Sequence, residues 1–225
     1  MYSINLVIIT IDEFEKTLLT MHILPSQRII LKELSTNMQK LKNKGFSNLQ
    51  ELQNLLKKKK DYDSIAKDID IDKEFLIILN RMINSYVVKI SPLQKLNIFT
   101  CEELMVLTKE KITNTENFYE TLKYIEQRLF LSIRLSIPTD KLEYALHIVD
   151  LLRINGVGVE YAKALYFIGI KTINDYNKTP SEVILNDINE YNKNYIHSKA
   201  TLGISDIDYC RRFCEKLDCD IEYTS

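Results

Sequence analysis

The chain is poor in residues that interrupt helices. It holds only five glycines and four prolines in 225 residues, whereas a fold of many short strands calls for turn residues about every 8–12 positions. It lacks any apolar run near the ~18 residues that a membrane span requires. Its apolar start, Ile4 to Ile11, has no basic segment before it of the kind that opens an export signal. A soluble, cytoplasmic protein with no membrane partner is expected. Cysteine is scarce: Cys101, Cys210, Cys214 and Cys219 are the whole set, and free thiols are the default in the cytoplasm. An excess of one charge is also missing. Thirty basic residues face 31 acidic ones and the formal net charge is −1, which argues against a dedicated nucleic-acid coat. The chain has no phosphate-cradling glycine loop, no Gly-x-Ser-x-Gly and no metalloprotease helix, and none of His22, His147 and His197 sits in a nucleophile motif. The expectation is a protein that is not an enzyme and carries no cofactor.

What is present is helical patterning from end to end. Thr10 to Glu13 reads as a helix start, with Thr10 as N-cap and the helix running to about Ile23, short of Pro25; a second helix is expected from Ser26. Ser47…Gln50, Thr100…Glu103, Thr113…Glu116 and Thr179…Glu182 have the spacing of capping boxes, the last with Pro180 at the first helical position. Tyr86–Ile90 is the one strand-like stretch, closed by Pro92, and reads as an extended linker. It divides the chain into an N-terminal helical subdomain, 1–90, and a C-terminal one, 91–225.

The chain repeats itself. Shifted by 58 positions, Pro92–Thr121 lies on Asp150–Thr179 without a gap: Leu93 meets Leu151, Asn97 meets Asn155, Glu102 meets Glu160, Leu107 meets Leu165, Ile112 meets Ile170 and Thr121 meets Thr179. Lys95/Arg153, Leu96/Ile154 and Phe118/Tyr176 are conservative matches. A fainter copy begins at Lys44-Gly45-Phe46-Ser47-Asn48.

The sharpest stretch is Leu152-Arg153-Ile154-Asn155-Gly156-Val157-Gly158-Val159-Glu160-Tyr161-Ala162-Lys163-Ala164-Leu165. Gly156 can end a helix at positive φ. Val157 would tuck between two helices, and Gly158 would permit immediate re-entry into the next. Ala162 is small where those helices cross, Gly169 ends the second of them, and Thr172 caps the one after. This pattern resembles the helix-hairpin-helix superfamily, with an intact hairpin over 140–179 and a degenerate one over 92–121, where Ile98-Phe99-Thr100 replaces the glycines. The resemblance implies bare amides at a helix N-terminus that hold a DNA backbone phosphate without reading bases. Ile112-Thr113-Asn114-Thr115, Phe118-Tyr119-Glu120-Thr121 and Leu152–Tyr176 further resemble an uncharacterised prokaryotic domain of unknown function (DUF4332-like) with tandem helix-hairpin-helix units. That likeness covers the chain from about Pro25 onward and brings no catalytic residues.

The candidate contact residues are therefore Gly156, Val157, Gly158, Lys163 and Lys171, joined by the run Lys57, Lys58, Lys59 and Lys60. Eight lysines stand against three acids between Thr36 and Lys67, while from Lys141 onward ten basic residues face thirteen acidic ones, and Glu160 sits in the first turn after Gly158. These charges leave two functions open. One is a non-enzymatic module on DNA backbone; the other is a scaffold whose helical surfaces meet another protein. Cys210 and Cys214, with His197 nearby in sequence, could share a metal, but no CxxC pair is present. Ile207, Cys210, Cys214 and Leu217 form an apolar stripe, expected to pack inward on a helix begun at Ser205.

Overall fold

The computed structural model describes residues 1–21, 23, 25–196 and 202–223. Among these residues all regular structure is helical, and the protein is all-α. The only β-type pairings among the described residues are two isolated antiparallel bridges, Thr10 with Asn48 and Pro92 with Asn114. Among the described residues no helix is long and apolar enough to cross a membrane. The chain forms two compact units, Asn5–Val87 and Val88–Ser225, the second including Met1–Ile4.

The N-terminal unit runs α1 (Ile11–Thr20), a 3-10 segment (Pro25–Leu31), α2 (Leu34–Asn43), α3 (Leu49–Leu55), a 3-10 turn (Lys59–Asp61), α4 (Tyr62–Ile69) and α5 (Lys73–Asn84). Thr10 caps α1, its hydroxyl accepting the Glu13 amide at 3.1 Å. Two expectations are corrected here. Helix α1 ends at Thr20, and the single helix expected from Ser26 is a 3-10 segment followed by α2, divided where Glu33 takes a left-handed φ of 55°. Phe14, Leu18, Met38, Leu41, Leu52, Phe75 and Leu79 make the core.

The second unit opens with a 3-10 turn (Leu93–Leu96), then α6 (Cys101–Lys109), α7 (Thr115–Leu122), α8 (Ile125–Leu135), α9 (Thr139–Leu151), α10 (Val159–Phe167), α11 (Ile173–Lys178), α12 (Ser181–Tyr191), a π-helical turn (Asn192–Ile196) and α13 (Ile204–Cys214). The 58-residue repeat holds in three dimensions. Moved by 58, α6 coincides with α10 at both ends and α7 begins where α11 begins. Leu107 and Leu165, Ile112 and Ile170, and Phe118 and Tyr176 are all buried.

The repeated turn has one geometry, and it occurs three times. After α2, α6 and α10 the chain takes positive φ at Gly45 (93°), Lys111 (62°) and Gly169 (91°). Each time the amide of the next residue reaches back to a buried leucine carbonyl: Phe46 to Leu41, Ile112 to Leu107 and Ile170 to Leu165, at 3.3, 2.9 and 2.9 Å. The left-handed residue itself donates one position later, so each is a Schellman helix end. Asn48, Asn114 and Thr172 then cap the following helices. The caps expected at Ser47 and Thr113 thus fall one residue later, where the carboxamide side chain reaches the third amide of the helix. At the start of α12, Pro180 is itself the N-cap position and makes no side-chain cap.

Arg153 accounts for the place of Met1–Ile4. Its guanidinium is buried and donates to the carbonyls of Tyr2 (2.9 Å), Met1 (3.0 Å) and Asp218 (2.8 Å), to Asp150 (2.6 Å) and to the Tyr119 hydroxyl (2.8 Å). The first residues, the segment after α13 and the end of α9 share this one cation. Burial raises the Asp150 pKa, and the Arg153 charge opposes that rise.

Candidate nucleic-acid interface

The turn between α9 and α10 is built by backbone geometry. Helix α9 ends at Leu151, and the amides of Arg153 and Ile154 close its last turn on the carbonyls of Asp150 and Leu151. Gly156 follows at φ +96°, a conformation that side-chain-bearing residues resist. A β-carbon there would stand 2.8 Å from Cys210 Sγ on α13, so this glycine is required twice. Val157 is buried, and Ala162 and Leu165 are sealed in the core.

Gly158 departs from expectation. It is the N-cap of α10 at φ −93°, ψ 172°, ordinary extended backbone, and a β-carbon there would meet nothing within 4 Å. No strain demands a glycine. What Gly158 lacks is a capping side chain. The amides of Gly158, Val159, Glu160 and Tyr161 have no acceptor among the described residues. The repeat-related start of α6 differs: Thr100 accepts the Glu103 amide at 3.2 Å and Glu103 returns to the Thr100 amide at 2.7 Å. Thr172 and Asp175 form the same box on α11.

The flanking lysines divide into three environments. Lys163 is largely covered. Its side chain is 22% exposed, and its Nζ lies 3.3 Å from Glu160 Oε1. Glu160, the acid placed worst for an anion seat, is thereby partly offset by Lys163 and is itself 74% exposed. Lys171 is exposed, with Nζ 5.3 Å from the centre of the Tyr166 ring. Lys57–Lys60 belong to the N-terminal unit, where all four are exposed. So Gly156, Val157 and Gly158 form one turn and Lys163 follows on the second turn of α10, while the lysine run belongs to a different unit.

The cysteine stripe faces inward. Ile207, Cys210, Cys214 and Leu217 are buried on or just after α13, whose N-cap is Gly203, a residue or two before the expected start. Burial pushes the Cys210 thiol up to about 11 and the Cys214 thiol higher still, which keeps both protonated. No group of three or more metal-ligating side chains exists among the described residues, and both His197 and His22 lie outside them.

Sequence reasoning missed His147 as an organised site. The ring stacks on Tyr223 at 4.5 Å with planes 4° apart, and Nδ1 donates to the Lys171 carbonyl at 3.0 Å. Tyr223 in turn donates to Asp150 at 2.9 Å. Burial lowers the His147 pKa, with the Lys171 carbonyl opposing. Only the segment after α13 completes this stack, and it carries no periodicity to announce it.

These features define an all-α protein with a repeated helix–turn–helix unit whose copies differ in capping, complete at α6 and absent at α10. The family model described as "Domain of unknown function (DUF4332)" matches residues 88–215, more than half of the chain, and the chain belongs to that family. The match begins at residue 88, not near Pro25 as expected, so almost all of the N-terminal unit lies outside it. No curated protein and no solved structure matches the chain.

Proposed function

We propose that this chain is a non-enzymatic cytoplasmic module that contacts nucleic-acid backbone, DNA in the first instance, through a helix-hairpin-helix turn at Gly156–Gly158. The observation that carries the reading is the uncapped start of α10, with four amides bare where the repeat-related α6 has a complete capping box. A helix N-terminus favours an anion by about 0.3–1 kcal/mol, and bare amides add direct hydrogen bonds. Lys163, one turn further along α10, can share that phosphate once its pairing with Glu160 opens. Nothing in this turn is shaped to read base edges, so contact is independent of sequence. The test is fluorescence anisotropy with duplex DNA at two salt concentrations. One hairpin engaging one or two phosphates predicts weak binding, with log affinity falling against log salt at a slope of about −1 to −2. No binding at low ionic strength overturns the reading.

A second reading, a protein-interaction scaffold, has its own observation. Leu129, Phe130 and Ile133 are exposed on α8, Ile133 by 84%, and Met105 is exposed on α6, which packs against α8. The partner this face fits is a second copy. Glu126 and Arg134 bracket Phe130 on α8, and an antiparallel pairing of two copies sets each against the other's opposite charge. Arg134 already bonds Glu110 at 2.8 Å and is still half-exposed. Sedimentation showing a concentration-dependent dimer that Ile133→Glu dissolves supports this reading; a monomer at high concentration overturns it.

A further inference from the structure

The N-terminal unit holds a polar cleft of about 420 Å³ between α3 and α5. Gln50, Gln53 and Asn54 line one wall from α3, and Asn80 and Asn84 line the other from α5. Leu56 lies buried beneath the cleft, Lys57 stands just past the end of α3, and no carboxylate enters the lining. One wall is already ordered. The Gln50 amide donates to Gln53 Oε1 at 3.1 Å and to Asn54 Oδ1 at 3.3 Å, which leaves the Gln53 and Asn54 amide groups to donate elsewhere. The Asn80 and Asn84 side chains have no partner among the described residues, so both the donor and the acceptor of each remain available.

The lysines beside the cleft carry no ion pair. Four other lysines of this unit do, Lys40 with Asp70, Lys42 with Asp12, Lys44 with Asp68 and Lys73 with Asp63, while Lys16, Lys32 and Lys67 have none among the described residues. Lys57–Lys60 form no ion pair among the described residues; Asp63 is held by Lys73, and Asp61, which directly follows the run, is likewise in no ion pair. A neutral sugar or peptide would satisfy the carboxamides and ignore these cations. An inorganic anion would satisfy the cations and ignore the carboxamides. A ligand that uses both carries an anionic group and a flat edge of alternating donors and acceptors. Carboxamides present one donor beside one acceptor, the arrangement that pairs with the adenine edge, and a lysine holds phosphate as a point charge. The volume falls within the ~300–1,000 Å³ of ordinary ligand sites.

We infer that this cleft is an adenine-nucleotide site, with Asn80, Asn84 and Gln53 on the base and Lys57 on the phosphate, for a nucleotide either free or within a single strand. The site does not depend on the hairpin reading. The experiment is calorimetric titration of the full chain with adenosine 5′-monophosphate, adenosine, inorganic phosphate and a short single-stranded oligo-dA. Saturable binding of the nucleotide is expected, with adenosine and phosphate each weaker by about ten-fold or more, the loss that goes with one charge-assisted contact. Lys57→Glu should weaken nucleotide about ten-fold. Asn80→Leu with Asn84→Leu should weaken nucleotide while leaving phosphate binding alone. Gly158→Asp, which blocks the hairpin, should leave the titration unchanged. Tighter binding of oligo-dA than of the mononucleotide assigns the site to a strand, and the reverse assigns it to the free nucleotide. Absence of saturable nucleotide binding, phosphate binding as tight as nucleotide, or indifference to the double asparagine change in a protein of unaltered melting temperature would each overturn the inference.

Discussion

Gly156→Ala isolates the physics of the hairpin. The residue sits at φ +96°, and its new methyl group would meet Cys210 Sγ at 2.8 Å. Holding a side-chain-bearing residue in left-handed backbone costs about 1–2 kcal/mol. The contact adds a packing cost, because Cys210 is wedged among core residues of α13 and cannot swing outward; Ile207, Phe213 and Cys214 beside it are all buried. Overpacking of that kind costs up to about 3 kcal/mol, depending on how far the Cys210 side chain can give way, so the whole change should cost about 1–5 kcal/mol. Cys210→Ala removes the sulfur and separates the two parts. In that background Gly156→Ala should cost only the backbone part, leaving a coupling of about 1–3 kcal/mol. Urea denaturation of the four proteins under reducing conditions, followed by circular dichroism, gives each value. Additivity within about 0.5 kcal/mol would refute the contact, and a neutral Gly156→Ala would refute the turn geometry itself.

Two further predictions follow from other turns and groups. Lys111 holds φ 62° at the helix end where its repeat partners Gly45 and Gly169 have glycine; Lys111→Gly should therefore stabilise the C-terminal unit by about 1 kcal/mol, read as a raised urea midpoint, and a lowered midpoint would contradict the shared geometry. His147 has a folded-state pKa depressed by burial. Its neutral form is the one the fold prefers, so its stabilising contribution is complete above the unfolded value of 6.5 and is lost as pH falls below it. His147→Phe should flatten the dependence of melting temperature on pH between about 7 and 5; an unchanged slope would show that the stacked ring does not set it.

The parts of this molecule legible in the sequence were those that local chemistry writes. Thr10 and Thr100 announce helix starts because a hydroxyl three residues ahead of a glutamate has one obvious use. Gly169 announces a helix end because few other residues tolerate positive φ; Gly156, expected to end a helix, shares that φ but turns the chain five residues after α9 has closed at Leu151. The 58-residue repeat was readable because leucines at 107 and 165 and isoleucines at 112 and 170 occupy one buried geometry. Lys111 hid the same helix end behind a side chain, and Glu33 hid the break before α2. Gly158 misled in the opposite direction. A glycine in a hairpin suggests strain, yet its backbone is ordinary and its meaning is the missing cap. Arg153 and His147 were illegible for a different reason. Their partners, Tyr2, Asp218 and Tyr223, come from opposite ends of the sequence, and no spacing rule connects them. The carboxamide cleft was invisible likewise, since Gln53 and Asn80 meet only when α3 packs on α5.

Gly158→Asp tests the central claim most directly. The substitution places a carboxylate on the start of α10, where Thr100 already serves α6, and nothing stands within 4 Å of the added β-carbon. The side chain should take up the bare amides and raise stability by a few tenths of a kcal/mol, while its charge repels phosphate. Duplex DNA anisotropy at about 50 mM salt, a condition under which phosphate contacts are strong, should show binding by the unaltered chain and none by the variant, with melting temperature equal or higher. Equal binding by both proteins would contradict the claim and remove the α10 N-terminus from the interface.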